Sequence, residues 1–262
     1  MEIKTIETRE TGPPLVGLML IMVLALPGCG GTKVLKEPEA YVATQALVTS
    51  SDQHLTADLD WVIYRDGPGT WAKNVDWDEY LITVQNWGSD SLQITNISVL
   101  DSLGTWVVPG QNRRQLVKGT KETKRRYKDE GLEVKAGMGT GALFAAGAAS
   151  AAGTAAIVAS AGVFSSTAAV AATGGIILVP AFAVGGVFRG VNNSRVNKQI
   201  ESRQTQLPFL LQEDEDRTFH IFFPVTPSPR RIEITYVDSQ GDHILVVDTQ
   251  TALEGLHLEH AE

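Results

Sequence analysis

Short stretches in which apolar and polar positions alternate lie on both sides of one long stretch that does not alternate. In 79–86, Tyr80, Ile82 and Val84 share one face, and a second strand follows over 92–100. Trp87-Gly88-Ser89-Asp90 has turn chemistry, so the two strands are predicted to form a hairpin. Earlier strands are predicted at 41–48 and 58–64, with Asp66-Gly67-Pro68-Gly69 breaking the chain after the second. Beyond the long stretch, Phe219, Ile221 and Phe223 mark a strand over 219–225, which the prolines at 224, 227 and 229 end. Strands at 232–237 and 244–247 follow, separated by Ser239-Gln240-Gly241-Asp242. About seven short strands with regular turn signals predict a mainly β, antiparallel sandwich.

From 136 to 188 the chain has no Asp, Glu, Lys, Arg, His, Asn or Gln. It divides into an Ala/Gly-rich arm, 136–164, and a more hydrophobic arm, 168–188, around Ser165-Ser166-Thr167. The second arm would span about 31 Å as a helix, enough to cross a bilayer. Gly137 with Gly141, and Gly186 with Gly190, have the four-residue spacing that lets helix backbones approach in lipid. The expected element is an α-helical hairpin over 136–190, inserted between strands of one sandwich. Sequence leaves two placements open: contact with a membrane, or packing of a soluble hairpin on the β-domain.

A shorter apolar run, Leu15 to Leu26, has twelve residues and spans about 18 Å as a helix. That is too short for a bilayer core and suits the apolar part of a secretory signal. Leu26-Pro27-Gly28-Cys29 follows, and Cys29 is the only cysteine, so it has no intramolecular disulfide partner. These residues resemble the lipobox of bacterial lipoproteins. The resemblance implies acylation of Cys29, a signal peptide over 1–28 and, from Gly30, an outer membrane facing the periplasm. The apolar stretch is similar to glycine-zipper segments of envelope proteins. The strand layout resembles immunoglobulin-like modules of bacterial lipoproteins, without their Cys–Trp–Cys signature.

Charge sharpens this picture. The chain carries −8 overall, yet 113–135 has nine basic and four acidic residues, and 189–203 has four basic residues and one acid. Both ends of the apolar stretch are therefore basic on an acidic protein. Lys121, Lys124, Arg125, Arg126, Lys128, Lys135 and Arg189 are candidates to face anionic head groups. The 113–135 stretch is expected to be a linker, 191–216 a linker or helix, 217–250 the closing strands and 251–262 a solvated tail. An exported, acidic protein gives no support to nucleic-acid binding.

No chemistry-bearing motif stands out. Gly137-Met138-Gly139-Thr140-Gly141 lacks the spacing and partner residues of a phosphate loop and reads as helix packing. The five histidines are scattered, and His257 with His260 reads as part of the tail rather than a metal site. Glu213 to Asp216 reads as a solvated turn. Acylation would consume Cys29, so no catalytic residue, metal or cofactor is expected. Trp61, Trp71, Trp77, Trp87 and Trp106 crowd the first half, divided between core and an exposed face in a way sequence leaves open. The expected function is a membrane-anchored envelope module for binding or scaffolding. Its partners would be lipid, through acylated Cys29 and the hairpin, and an envelope protein or polymer, with a homo-oligomer as the candidate assembly. The alternative is a membrane-permeabilising oligomer built from the 136–190 hairpin.

Overall fold

A computed structural model describes residues 31–38, 43–137 and 189–259. The strands are β1 (Lys33–Val34), β2 (Val48–Ser51), β3 (Leu55–Ile63), β4 (Ala72–Lys73), β5 (Trp77–Asn86), β6 (Leu92–Leu100) and β7 (Trp106–Val107). They continue with β8 (Glu133–Val134), β9 (Phe209–Leu211), β10 (Asp216–Pro224), β11 (Arg231–Asp238), β12 (Gly241–Asp248) and β13 (Leu258–Glu259). Two helices, α1 (Arg113–Asp129) and α2 (Arg189–Arg203), complete the described elements. The protein is mainly β, and its sheets are antiparallel.

One sheet has the order β10-β5-β3-β2. A second has the order β12-β11-β6-β7, with β9 also paired to β6. Two small ladders, β1 with β4 and β8 with β13, lie outside these sheets.

Alternation explains how the layers stack. Tyr80, Ile82 and Val84 of β5, with Phe219, Ile221 and Phe223 of β10, share one core with Ile94, Ile97, Ile232 and Ile234 of the second sheet. The opposite face of the first sheet is covered too. There Trp77 and Phe222 pack with Trp71, with Leu116 of α1, and with Val196 and Ile200 of α2. Phe222, out of phase with the other aromatic residues of β10, is apolar because helices cover its face.

Several expectations are corrected. Strands β5 and β6 do not form a hairpin: β5 pairs with β3 and β10, and β6 with β11, β7 and β9. The 87–90 turn crosses between sheets, held by buried Asn86. Its Nδ2 donates to the carbonyls of Asp90 and Gln212 at 2.9 Å each, while its Oδ1 accepts from Gly88 N–H. Alternation reveals a buried face but not a pairing partner, which is why sequence favoured the nearest strand. The strand expected at 41–48 instead begins at Val48, and residues 39–42 lie outside the described ones.

The expected linker at 113–135 contains helix α1. Its packed positions are Leu116, Thr120, Thr123 and Tyr127, of which only Leu116 is aliphatic, so the helical period was hidden. The expected tail is also packed: Leu253, Leu256 and His257 are fully buried, and β13 pairs with β8.

Candidate functional site

Helix α1 is sharply bounded. Asn112 caps its start, accepting the Gln115 N–H at 3.0 Å, and the Gln115 side chain accepts the Gln111 N–H. At its end Gly131 adopts φ +74°, and Leu132 N–H reaches back to the Tyr127 carbonyl. That is a glycine C-terminal motif. The packed face is pinned by Thr120, whose hydroxyl donates to Asp76 O at 2.6 Å and accepts from Val225 N–H at 2.9 Å.

Opposite this face runs a basic stripe. Arg114, Lys118, Lys121, Arg125 and Lys128 recur at spacings of four and three, so they share one side of the helix, and all five are exposed. Five cations thus line about 21 Å of helix. Lys118 has only the solvent-exposed Glu122 beside it, at 3.8 Å. The other four form no ion pair among the described residues. Leu116, Thr120, Thr123 and Tyr127 hold the helix by its far side, so the stripe faces outward.

The basic residues singled out by sequence separate into different roles. Lys121, Arg125 and Lys128 belong to the stripe, and half-buried Lys124 flanks it. Arg126 instead turns to the second sheet, donating to the fully buried Asp101 at 2.9 Å and to Thr105 at 2.7 Å. Lys135 pairs with Glu259 across β8 and β13. Arg189 opens α2. Arg114 and Lys118 complete the stripe and were not singled out. Reading 113–129 at the helical period would have found them.

Gly137 leads into 138–188, which lies outside the described residues, as do Gly141, Gly186 and Cys29. Gly137 is not a helix-packing position: its φ is +129°. Its N–H donates to Nδ1 of His257 at 3.0 Å, and Nε2 of His257 lies 2.8 Å from Oδ2 of Asp78. Since Nδ1 accepts, the proton sits on Nε2 and is donated to Asp78, leaving a neutral imidazole. His257 and Asp78 are fully buried, and the other Asp78 oxygen, Oδ1, has no partner among the described residues. Burial, with Asp78 nearby, pushes the Tyr80 phenol well above its ordinary range. Gly190 falls in the first turn of α2.

Helix α2 is anchored by a buried charge. Arg203 donates to both oxygens of Glu79, at 2.8 to 3.2 Å, and His220 and the Trp71 indole N–H also reach that carboxylate. Burial pushes the Glu79 carboxyl up, but Arg203 and His220 outweigh it and hold the group below its ordinary value. The Arg203 guanidinium also lies 5.4 Å from the Trp71 ring centre.

The chain beyond Gly30 arrives at the same part of the fold. Thr32 donates to Asn74 O and accepts from Arg113 of α1, whose backbone N–H is taken by Asn197 of α2. Arg65 holds Val75 O and the Asp76 carboxylate, and the Arg65 carbonyl is 3.5 Å from where a Cβ on Gly137 would stand. The 65–78 region therefore gathers Thr32, Gly137 and both helices.

Two histidines that sequence left scattered are brought together. His54 and His243 have ring centres 5.5 Å apart beside Asp238, and Tyr236 stacks on His243. Among the described residues no group of three His, Cys, Asp or Glu is disposed to hold a metal, and no helix is long and apolar enough to cross a membrane. Of the tryptophans, 61, 71 and 77 are buried, while Trp87 and Trp106 are exposed.

No protein-family model matches this chain, and no curated protein or solved structure matches it either.

Proposed function

We propose that this protein is a non-enzymatic, lipid-anchored module of a bacterial cell envelope whose α1 stripe lies against an anionic membrane surface. The observation that carries this reading is the stripe itself: five outward-facing Arg and Lys residues on a helix of a protein with net charge −8. An acidic body would be repelled by an anionic membrane, so attraction requires a local surface of opposite sign. Near a strongly anionic leaflet each such cation contributes up to about 1 kcal/mol, screened by salt.

The lipobox-like residues supply the anchor in this reading. Only Gly30 and Gly31 separate Cys29 from Thr32, which lies three peptide steps away and whose hydroxyl is tied to the folded domain. Extended chain of that length reaches no more than about 11 Å, so an acyl group on Cys29 would keep the domain beside the lipid. The diacylglyceryl group that a lipobox cysteine receives would bring two acyl chains, so the basic surface would set how the domain lies on the lipid rather than whether it stays there. The two facing sheets are read as an immunoglobulin-like sandwich, with 136–190 as an inserted helical hairpin. The hairpin is the third contact in this scheme, and an envelope protein or polymer is the partner.

The test exports residues 30–262 behind a cleavable signal, without an acyl group, and mixes the product with vesicles. Binding to phosphatidylglycerol vesicles but not to phosphatidylcholine vesicles, lost when Lys121, Arg125 and Lys128 become Glu, is the expected result. Equal binding by the triple variant would refute the role of the stripe. Release of the membrane-bound protein by alkaline carbonate would remove the hairpin from the scheme and leave the stripe and lipid.

A further inference from the structure

A cleft on the other side of β6 has a different character from the basic helix. Strand β9 covers one edge of β6 over Leu92–Ile94, and β7 covers the same edge over Val99 and Leu100. Residues 95–98 are left without a strand on that edge among the described residues. A cavity of about 250 Å³ opens there, bounded by β6, the 108–111 loop, the 204–207 loop and β10. No charged side chain lines it.

The lining is amide and hydroxyl over an apolar floor. Asn96, Gln111 and Gln206 present carboxamides that have no hydrogen-bond partner among the described residues, and Ile221 lies beneath. Each carboxamide both donates and accepts, as does the hydroxyl of Thr205. Such a set matches a ligand rich in neutral groups that do the same. Trp106, at the start of β7, is exposed two positions before Val108, which lines the cleft. An exposed indole offers a flat apolar face with a polar edge beside these amides.

We propose that this cleft binds a neutral oligosaccharide, one ring seated among Asn96, Gln111 and Gln206 and a neighbouring ring against Trp106. Its volume lies just below the roughly 300 Å³ at which pockets hold drug-sized molecules, which suits one sugar ring at a time. An extended peptide adding to β6 is the competing occupant. It would have only the short 95–98 gap and would meet β9 and β7 at its two ends. The absence of charge disfavours anionic polymers. The proposal does not depend on membrane attachment and stands or falls separately from it.

Full-length protein in detergent micelles, titrated calorimetrically with tetraacetylchitotetraose and with maltotetraose, provides the test. At least one is expected to bind at one site per chain. The paired change Asn96→Ala with Gln206→Ala, and Trp106→Ala separately, should each weaken that binding tenfold or more. Trp87→Ala removes an exposed indole bonded to Thr56 of β3 and should stay within twofold. All four positions are at the surface, and unchanged circular dichroism confirms that the fold survives. The proposal is overturned if neither sugar binds at millimolar concentration, or if the cleft variants bind like the parent. It is equally overturned if an uncharged Ser/Ala peptide binds there while the sugars do not.

Discussion

Gly137 and His257 stand 120 positions apart, and the backbone N–H of one donates to Nδ1 of the other at 3.0 Å inside the protein. This bond joins Gly137, the second residue of the apolar segment and the last one described before residue 189, to the C-terminal stretch. Through Nε2 the same ring reaches Asp78 on β5, so three distant parts of the chain meet at one imidazole. Gly137 is therefore fixed to the core of the β-domain.

Removing that ring should be costly. His257→Ala takes from Asp78 the one hydrogen-bond donor it has among the described residues, and its other oxygen is already unpaired. A loss of about 3 kcal/mol is expected, read from the urea midpoint. Adding Asp78→Asn should recover part of it. A single-variant loss under about 1 kcal/mol would show that the pair does not hold this region together.

Acid should weaken the protein through Glu79. Its folded carboxyl titrates below the ordinary 4.5. The stability it contributes is thus full above that value and lost as pH falls through the lower, folded one. Unfolding measured from pH 7 to 3 should show this slope, and Glu79→Gln should flatten it. At neutral pH the variant should lose about 3–5 kcal/mol, because Arg203 stays buried without its partner. Parallel pH profiles for variant and parent would contradict the assignment.

Gly119 should not tolerate alanine, although it lies within a helix. A Cβ there would stand 2.5 Å from Cγ of Pro224 on β10. Alanine favours an exposed helix by about 1 kcal/mol over glycine, but crowding a packed contact costs about 1–3 kcal/mol. A lower melting temperature for Gly119→Ala is the expected net result. A rise would mean that α1 can back away from β10.

The basic residues of α1 should divide cleanly by assay. Changing Lys121, Arg125 and Lys128 to Glu should shift stability by no more than about 0.5 kcal/mol per position, since all three are exposed. Arg126→Ala should instead cost about 2–3 kcal/mol, because it uncovers the buried Asp101. Chemical denaturation of the two variants side by side decides this. Comparable losses in both would dissolve the distinction between surface stripe and structural arginine.

Local pattern carried much of the strand content. Tyr80, Ile82 and Val84 do fill one core face, and the prolines at 224, 227 and 229 do close β10 before β11 begins. Such features depend on neighbours within a few residues, and a period of two expresses them directly. The concentration of basic charge before the apolar segment was equally plain.

Tertiary contact decided the rest. Helix α1 was missed because its packed face is threonine and tyrosine, residues whose burial depends on acceptors such as Asp76 O and on the hydroxyl of Ser102. The packed tail is hidden in sequence because His257 and Asp78, 179 positions apart, look solvated until the fold brings them together. Adjacency in sequence suggests a β5–β6 hairpin, whereas in the fold β5 pairs with β3 and β10, and β6 with β11. Sequence alone determined which residues can be buried in a sheet and where charge accumulates. Only the folded chain decided which polar groups are buried, because a buried polar group is stable only beside its partner, and here the partners come from distant parts of the chain.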